Sequence, residues 1–192
     1  SGLFDDAHTG LYTSIAIDSS DNDHIAFYDP YANAGTSPEV QYSAFNTDLD
    51  DLVYSETIIE AAGGFISLAM RSDDVPCVAF QATVAMDLMY GCLVDGNWAL
   101  ETVDASGSVG RYASLDFNAY DEAYIAYYDQ SNSRLMLARE DKEDSETPWE
   151  LIEVDNDGDV GQAASLHVDT RSVAHMSYYD ASHQTLKYAT GG

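Results

Sequence analysis

The run Asp155-Asn156-Asp157-Gly158-Asp159 sets carboxylates at alternate positions with a glycine at the bend. Hard oxygen ligands gathered in this way suit calcium, as at the start of a calcium-binding loop. No glutamate follows at the position that would complete an EF-hand, so that motif is not met. The corresponding run from Asp104 reads DASGSVG, which shows that the turn forms without the extra acids. Calcium on Asp155, Asp157 and Asp159 is the one cofactor that the residues suggest.

A second set of residues suits a sugar. Tyr28/Asp29, Tyr128/Asp129 and Tyr179/Asp180 recur at matching points of the chain, near Arg111, Gln162, His8 and His183. A tyrosine ring stacks on the C–H face of a sugar while the adjacent carboxylate accepts hydroxyl protons. The same pair equally ends a strand and starts a turn, and recurrence favours that structural role. Tyr31 stands in an insertion, Pro30–Glu39, five residues longer than its counterparts and expected on a binding face. Asp116 and His167 occupy equivalent positions and could meet as an acid/base pair or as a hydrogen-bonded core pair, the latter preferred. The histidines show no metal-ligand spacing. G-x-S-x-G, H-E-x-x-H, a phosphate loop and the sialidase-type S-x-D-x-G-x-T-W box are all absent. Catalytic residues are therefore not expected.

These side chains must be carried by a repeat. Gly10–Asp29, Gly63–Ala82, Gly110–Asp129 and Gly161–Asp180 align without a gap, with Ser14, Ser67, Ser114 and Ser165 in register. The serine intervals are 53, 47 and 51 residues, the length of one supersecondary unit. Each unit holds short β-rich runs between turn residues, read as an antiparallel meander. The first strands are Tyr12–Asp18, Phe65–Arg71, Tyr112–Asn118 and Ala163–Asp169. The second are His24–Tyr28, Cys77–Gln81, Tyr124–Tyr128 and His175–Tyr179. The third are Val40–Phe45, Leu88–Leu93, Leu135–Arg139 and Leu186–Thr190, and the fourth Tyr54–Ile59, Trp98–Val103 and Trp149–Val154. The last unit lacks its fourth strand, and residues 1–9 are expected to supply it. The fold expected is all-β, one four-bladed β-propeller over 1–192 whose ring the N-terminal strand closes. Its repeats run 10–62, 63–109, 110–160 and 161–192 plus 1–9. Strand alternation puts the fourth-to-first and second-to-third loops on one face, which would carry the Tyr–Asp pairs and Arg111.

The chain has 34 acidic and 7 basic residues among 192, a formal net charge of −27. Such a field repels nucleic acid and anionic membranes, and no run is long enough to span a membrane as a helix. No signal peptide is visible at Ser1, weak evidence on compartment for a chain that could be a trimmed form. Cys77 and Cys92 fall on neighbouring strands. With a turn centred between Ala82 and Leu88, Cys77 lies opposite Leu93 and Cys92 opposite Val78. The two thiols then face apart, so free thiols are expected, a conclusion that a one-residue slip reverses.

The repeat resembles the tandem propeller repeats of large secreted bacterial proteins. Tyr112, Ser114 and Leu115, then His175–Asp180, then Leu186, Tyr188 and Ala189, and then Trp98, Glu101–Asp104, Gly107, Val109 and Gly110 carry the likeness. The second repeat departs most, with Gln81 and Ala82 in place of Tyr-Asp. The resemblance implies a secreted, extracellular or periplasmic protein with a binding or scaffolding role, and transfers no catalytic residue. The function expected is a non-catalytic, lectin-like module that binds carbohydrate or protein. Its ligand residues would be Tyr28, Asp29, Tyr31, Arg111, Tyr128, Asp129, Tyr179 and Asp180. The alternatives are a structural module that assembles as a homodimer and, behind it, a carbohydrate-active enzyme using axial carboxylates.

Overall fold

The computed structural model describes residues 10–31, 38–46, 51–60, 63–143 and 148–191. The described residues contain fifteen strands and no helix. They form four antiparallel meanders, each pairing strictly in chain order. Blade 1 is β1 (Leu11–Ile17), β2 (Asp23–Asp29), β3 (Glu39–Asn46) and β4 (Asp51–Glu60). Blade 2 is β5 (Ser67–Met70), β6 (Pro76–Gln81), β7 (Leu88–Val94) and β8 (Asn97–Asp104). Blade 3 is β9 (Arg111–Phe117), β10 (Ala123–Asp129), β11 (Arg134–Glu140) and β12 (Trp149–Asp155). Blade 4 is β13 (Val160–Val168), β14 (Ala174–Asp180) and β15 (Thr185–Gly191). This is the four-bladed β-propeller that the repeat predicts. The closing strand expected of residues 1–9 lies outside the described residues, as does most of the Pro30–Glu39 insertion.

The innermost strands pack in the order β1, β5, β9, β13. Core clusters lie between blades 1 and 2, around Tyr42, Leu68 and Phe80; between 2 and 3, around Leu88, Leu115 and Tyr127; and between 3 and 4, around Leu135, Leu166 and Met176. A blade is therefore covered on as many faces as it has neighbours. β6 and β10, in the two inner blades, are buried along their whole length, whereas β2 and β14 are partly exposed. The repeated serines tie the blades together. Leu68 N donates to Ser14 Oγ at 2.9 Å, Leu115 N to Ser67 Oγ at 2.9 Å and Leu166 N to Ser114 Oγ at 3.0 Å. Among the described residues no such bond joins Ile15 to Ser165. Ile15 and Ile17 on blade 1, and Leu186 and Tyr188 on blade 4, stay exposed.

Cys77 and Cys92 correct the expectation of free thiols: they form a disulfide with Cα atoms 4.0 Å apart. The hairpin register is one residue from the expected one, Cys77 facing Cys92 and Gln81 facing Leu88. The intervening loop closes with Ala82 N donating to Asp87 O and Met86 N to Ala82 O, and Met86 takes a left-handed φ of 63°. That loop shortens one arm of the hairpin by a residue, which brings both sulfurs to the same face.

Candidate functional site

Both predicted loop sets do share one face, since they are bonded to each other. Val109 N donates to Met86 O, Gln130 N to Ser108 O, Val160 N to Ser133 O and Ala181 N to Asp159 O. At this face three of the four innermost strands, β1, β9 and β13, begin with a break in register. Tyr12, Phe65, Tyr112 and Ala163, at equivalent points, all have positive φ, 51°, 56°, 54° and 51°. The pairing slips between Leu11 and Ser14, between Ala126 and Tyr128, and between Gln162 and Ser165. A bulge re-aims the side chain it carries, and left-handed backbone at non-glycine residues persists only where surrounding structure enforces it.

The re-aimed rings meet. Tyr28, Tyr12, Phe65, Tyr112 and Tyr128 form a continuous arc across blades 1 to 3. Successive centroids are 6.2, 4.7, 4.7 and 6.3 Å apart, all tilted. Arg111 lies over the Phe65 ring, its guanidinium carbon 5.4 Å from the centroid. Beside the arc opens a cleft of about 220 Å³, lined by Tyr12, Tyr28, Phe65, Gln81, Met86 and Arg111 among others. The cleft sits where the second repeat departs from the rest. Leu11 faces Tyr28 and Arg111 faces Tyr128 across the first pair of strands, but in blade 2 Gly64 accepts from Gln81. Glycine and glutamine leave the room that two larger side chains fill elsewhere. The Gln81 amide donates to Val109 O at 2.7 Å.

The structure thus brings Tyr28 and Arg111 together and extends their group with Tyr12, Phe65 and Tyr112, which in the sequence read only as strand residues. The signal was an aromatic at one repeat position in three copies; alternation alone could not show that a bulge turns it outward. Tyr128 is buried, and its hydroxyl donates to Asp159 at 2.6 Å. Burial, then the bond to Asp159, push its phenol up. Asp129 and Asp180 are buried in turns. Asp129 accepts from Asn132 and Arg134, and Asp180 from His183 and its backbone N–H. Asp29 accepts from the Tyr31 N–H. Tyr31 and Tyr179 are exposed, 56% and 39%, outside the cleft. His8 lies outside the described residues.

The three acids expected to hold calcium point to different partners. Asp155 accepts from Tyr178 and pairs with Lys187 at 2.6 Å. Asp159 accepts from Tyr128 and Gln162, and Asp157 contributes its backbone N–H to Asp155. Among the described residues no three His, Cys, Asp or Glu side chains gather as for a metal ion. Asp116 and His167 do meet, at 2.9 Å, and Asp116 also accepts from the Val168 N–H. The imidazole is 79% exposed, so this pair is not the enclosed core pair expected.

No protein-family pattern and no curated protein matches the chain. Solved structures match it over nearly its whole length. A microbial sialidase, Hz136, superposes with TM-score 0.65 at 9% identity, over 95% of this chain and 44% of its own. An exo-β-1,3-galactanase from Phanerochaete chrysosporium, solved with β-1,3-galactotriose, gives TM-score 0.59 at 11% identity, over 93% and 44%. The Aleuria aurantia lectin, in complex with Fucα1-6GlcNAc, gives 0.58 at 11%, over 94% and 60%. The chain spans about half the length of these structures. Identity this low establishes the fold alone. A sialidase and a galactanase nevertheless stand beside a lectin among these structures, which corrects the expectation of a non-catalytic module to this extent: the fold carries enzymes as well as lectins. The absence of contiguous motifs does not exclude such an enzyme. A glycosidase needs only two carboxylates placed across a bond, and strands of different blades can supply them with no motif at all.

Proposed function

We propose that the chain is the carbohydrate-active part of a glycoside-processing propeller, with the saccharide seated on the aromatic arc. The arc itself is the observation that supports this. Tyr12, Phe65 and Tyr112, on enforced left-handed backbone, and Tyr28 beside them offer faces on which sugar C–H groups stack. A packed core has no use for Tyr12, which is 45% exposed. The far end of the arc, Tyr128, is bonded to Asp159, whose two oxygens are held by the neutral donors Tyr128 and Gln162 rather than by a cation. Asp159 is thus the carboxylate we assign to proton handling at the glycosidic oxygen. The disulfide and the charge of −27 favour a secreted or periplasmic setting.

The test is incubation of the protein with a broad oligosaccharide panel, reading binding by calorimetry and cleavage by chromatography of the products. Tyr12→Ala with Tyr112→Ala should abolish binding, and Asp159→Asn should keep binding while lowering turnover by about 100-fold or more. Absence of both binding and cleavage across the panel would reject the reading.

A further inference from the structure

Only seven lysines and arginines face 34 carboxyl residues in this chain. Six of the seven are paired. Arg71 meets Asp73, Arg134 meets Asp129 and Glu153, Arg139 meets Glu150, Lys142 meets Glu140, Arg171 meets Asp169 and Lys187 meets Asp155. Among the described residues Arg111 alone has no carboxylate partner. Its Nε is buried without any hydrogen-bond acceptor. It lies on the Phe65 ring and lines the cleft, to which no acidic side chain among the described residues contributes. In a protein this acidic, a cation kept clear of every described carboxylate is unusual. Holding it among aromatic rings removes water from it without supplying a counter-charge.

The position also departs from the repeat. The residues equivalent to Arg111 are Leu11, Gly64 and Gln162, none of them charged. The blade therefore does not need an arginine there to fold. We propose that the cleft takes an anionic saccharide, whose carboxylate or sulfate is received by the Arg111 guanidinium while the sugar ring stacks on Tyr12 and Phe65. The planar fork of donors matches the oxygens of such a group in a way that one ammonium could not. The net charge of the protein repels free anions, so a ligand of this class is held by the single local cation together with stacking, and binding weakens with added salt. This inference rests on the saccharide reading above and adds the class of saccharide.

The experiment pairs ligands that differ in one charged group: sialyllactose against lactose, and oligogalacturonate against the matching neutral galacto-oligosaccharide. Calorimetry on the intact chain should show the acidic member of at least one pair bound about tenfold or more tightly than its neutral counterpart. R111Q should remove that preference. R111K should retain part of it. Should R111Q fail to fold, R111K and a salt titration of the unaltered protein carry the same test, with the acidic preference falling as salt rises. Equal affinity for acidic and neutral members, or a preference that survives R111Q, overturns the inference and leaves the saccharide reading standing. No binding of either class overturns both.

Discussion

Replacing Ser114 by alanine takes one acceptor from the contact between blades 3 and 4. Leu166 N donates to that hydroxyl at 3.0 Å, and Leu166 is 9% exposed, so water does not readily take over the bond. A hydrogen bond of this kind contributes about 1 kcal/mol, and the donor left without a partner raises the loss to roughly 1–2 kcal/mol. For a chain of this size that is a fall of about 3–6 °C in Tm. Ser67→Ala should behave alike, through Leu115 N at 2.9 Å. Ser165 occupies the same repeat position but carries no such bond among the described residues, so Ser165→Ala should stay within about 0.5 kcal/mol of the parent. Urea unfolding followed by circular dichroism compares the three variants directly. A loss at Ser165 equal to that at Ser114 would refute the reasoning, because it would mean that the first blade donates to the fourth as the others do. No loss at Ser67 and Ser114 would refute it too, by showing that the serine series adds nothing to blade packing.

Two further outcomes follow from the same structure. The disulfide closes a loop with a sequence separation of 15, so reduction should cost about 3 kcal/mol of stability; free thiols in the native protein by mass spectrometry would contradict the hairpin register. Burial raises the Asp18 carboxyl, but bonds from the Asn22 side chain and backbone, His24 and Ser20 outweigh it and hold it at about 2, below its ordinary 3.8. A carboxyl depressed on folding adds stability that is complete above its unfolded value and disappears as pH falls through the folded one. Asp18→Asn should therefore flatten the loss of urea stability between pH 4 and 2, and an unchanged acid limb would argue against this role.

Much of the fold is legible in the chain because a blade is a local object. Each strand pairs with the next, so turn residues and short β-rich runs predict the meander before any long-range contact is known. The serine register, the strand limits and the shared loop face follow in the same way. The cysteines show the limit of such reasoning. Whether Cys77 faces Cys92 depends on how one loop divides its residues, and a single residue decides it. The Tyr–Asp pairs show another. Their recurrence reflects strand ends and turns, as the buried Asp129 and Asp180 demonstrate, whereas the departures from recurrence, Gly64, Gln81 and Arg111, mark the cleft.

By itself the sequence determined a four-fold repeat, its strands and its acidic surface, since these depend on spacing and composition along the chain. Only the tertiary structure decided which side chains meet. The arc of Tyr28, Tyr12, Phe65, Tyr112 and Tyr128 joins residues from three blades, and its middle three rings are re-aimed by left-handed backbone that pairwise alternation does not reveal. Arg111 became distinctive only once every other cation had been placed beside its carboxylate. Pairing of charges is a property of distance in space, and the order of residues along the chain does not contain it.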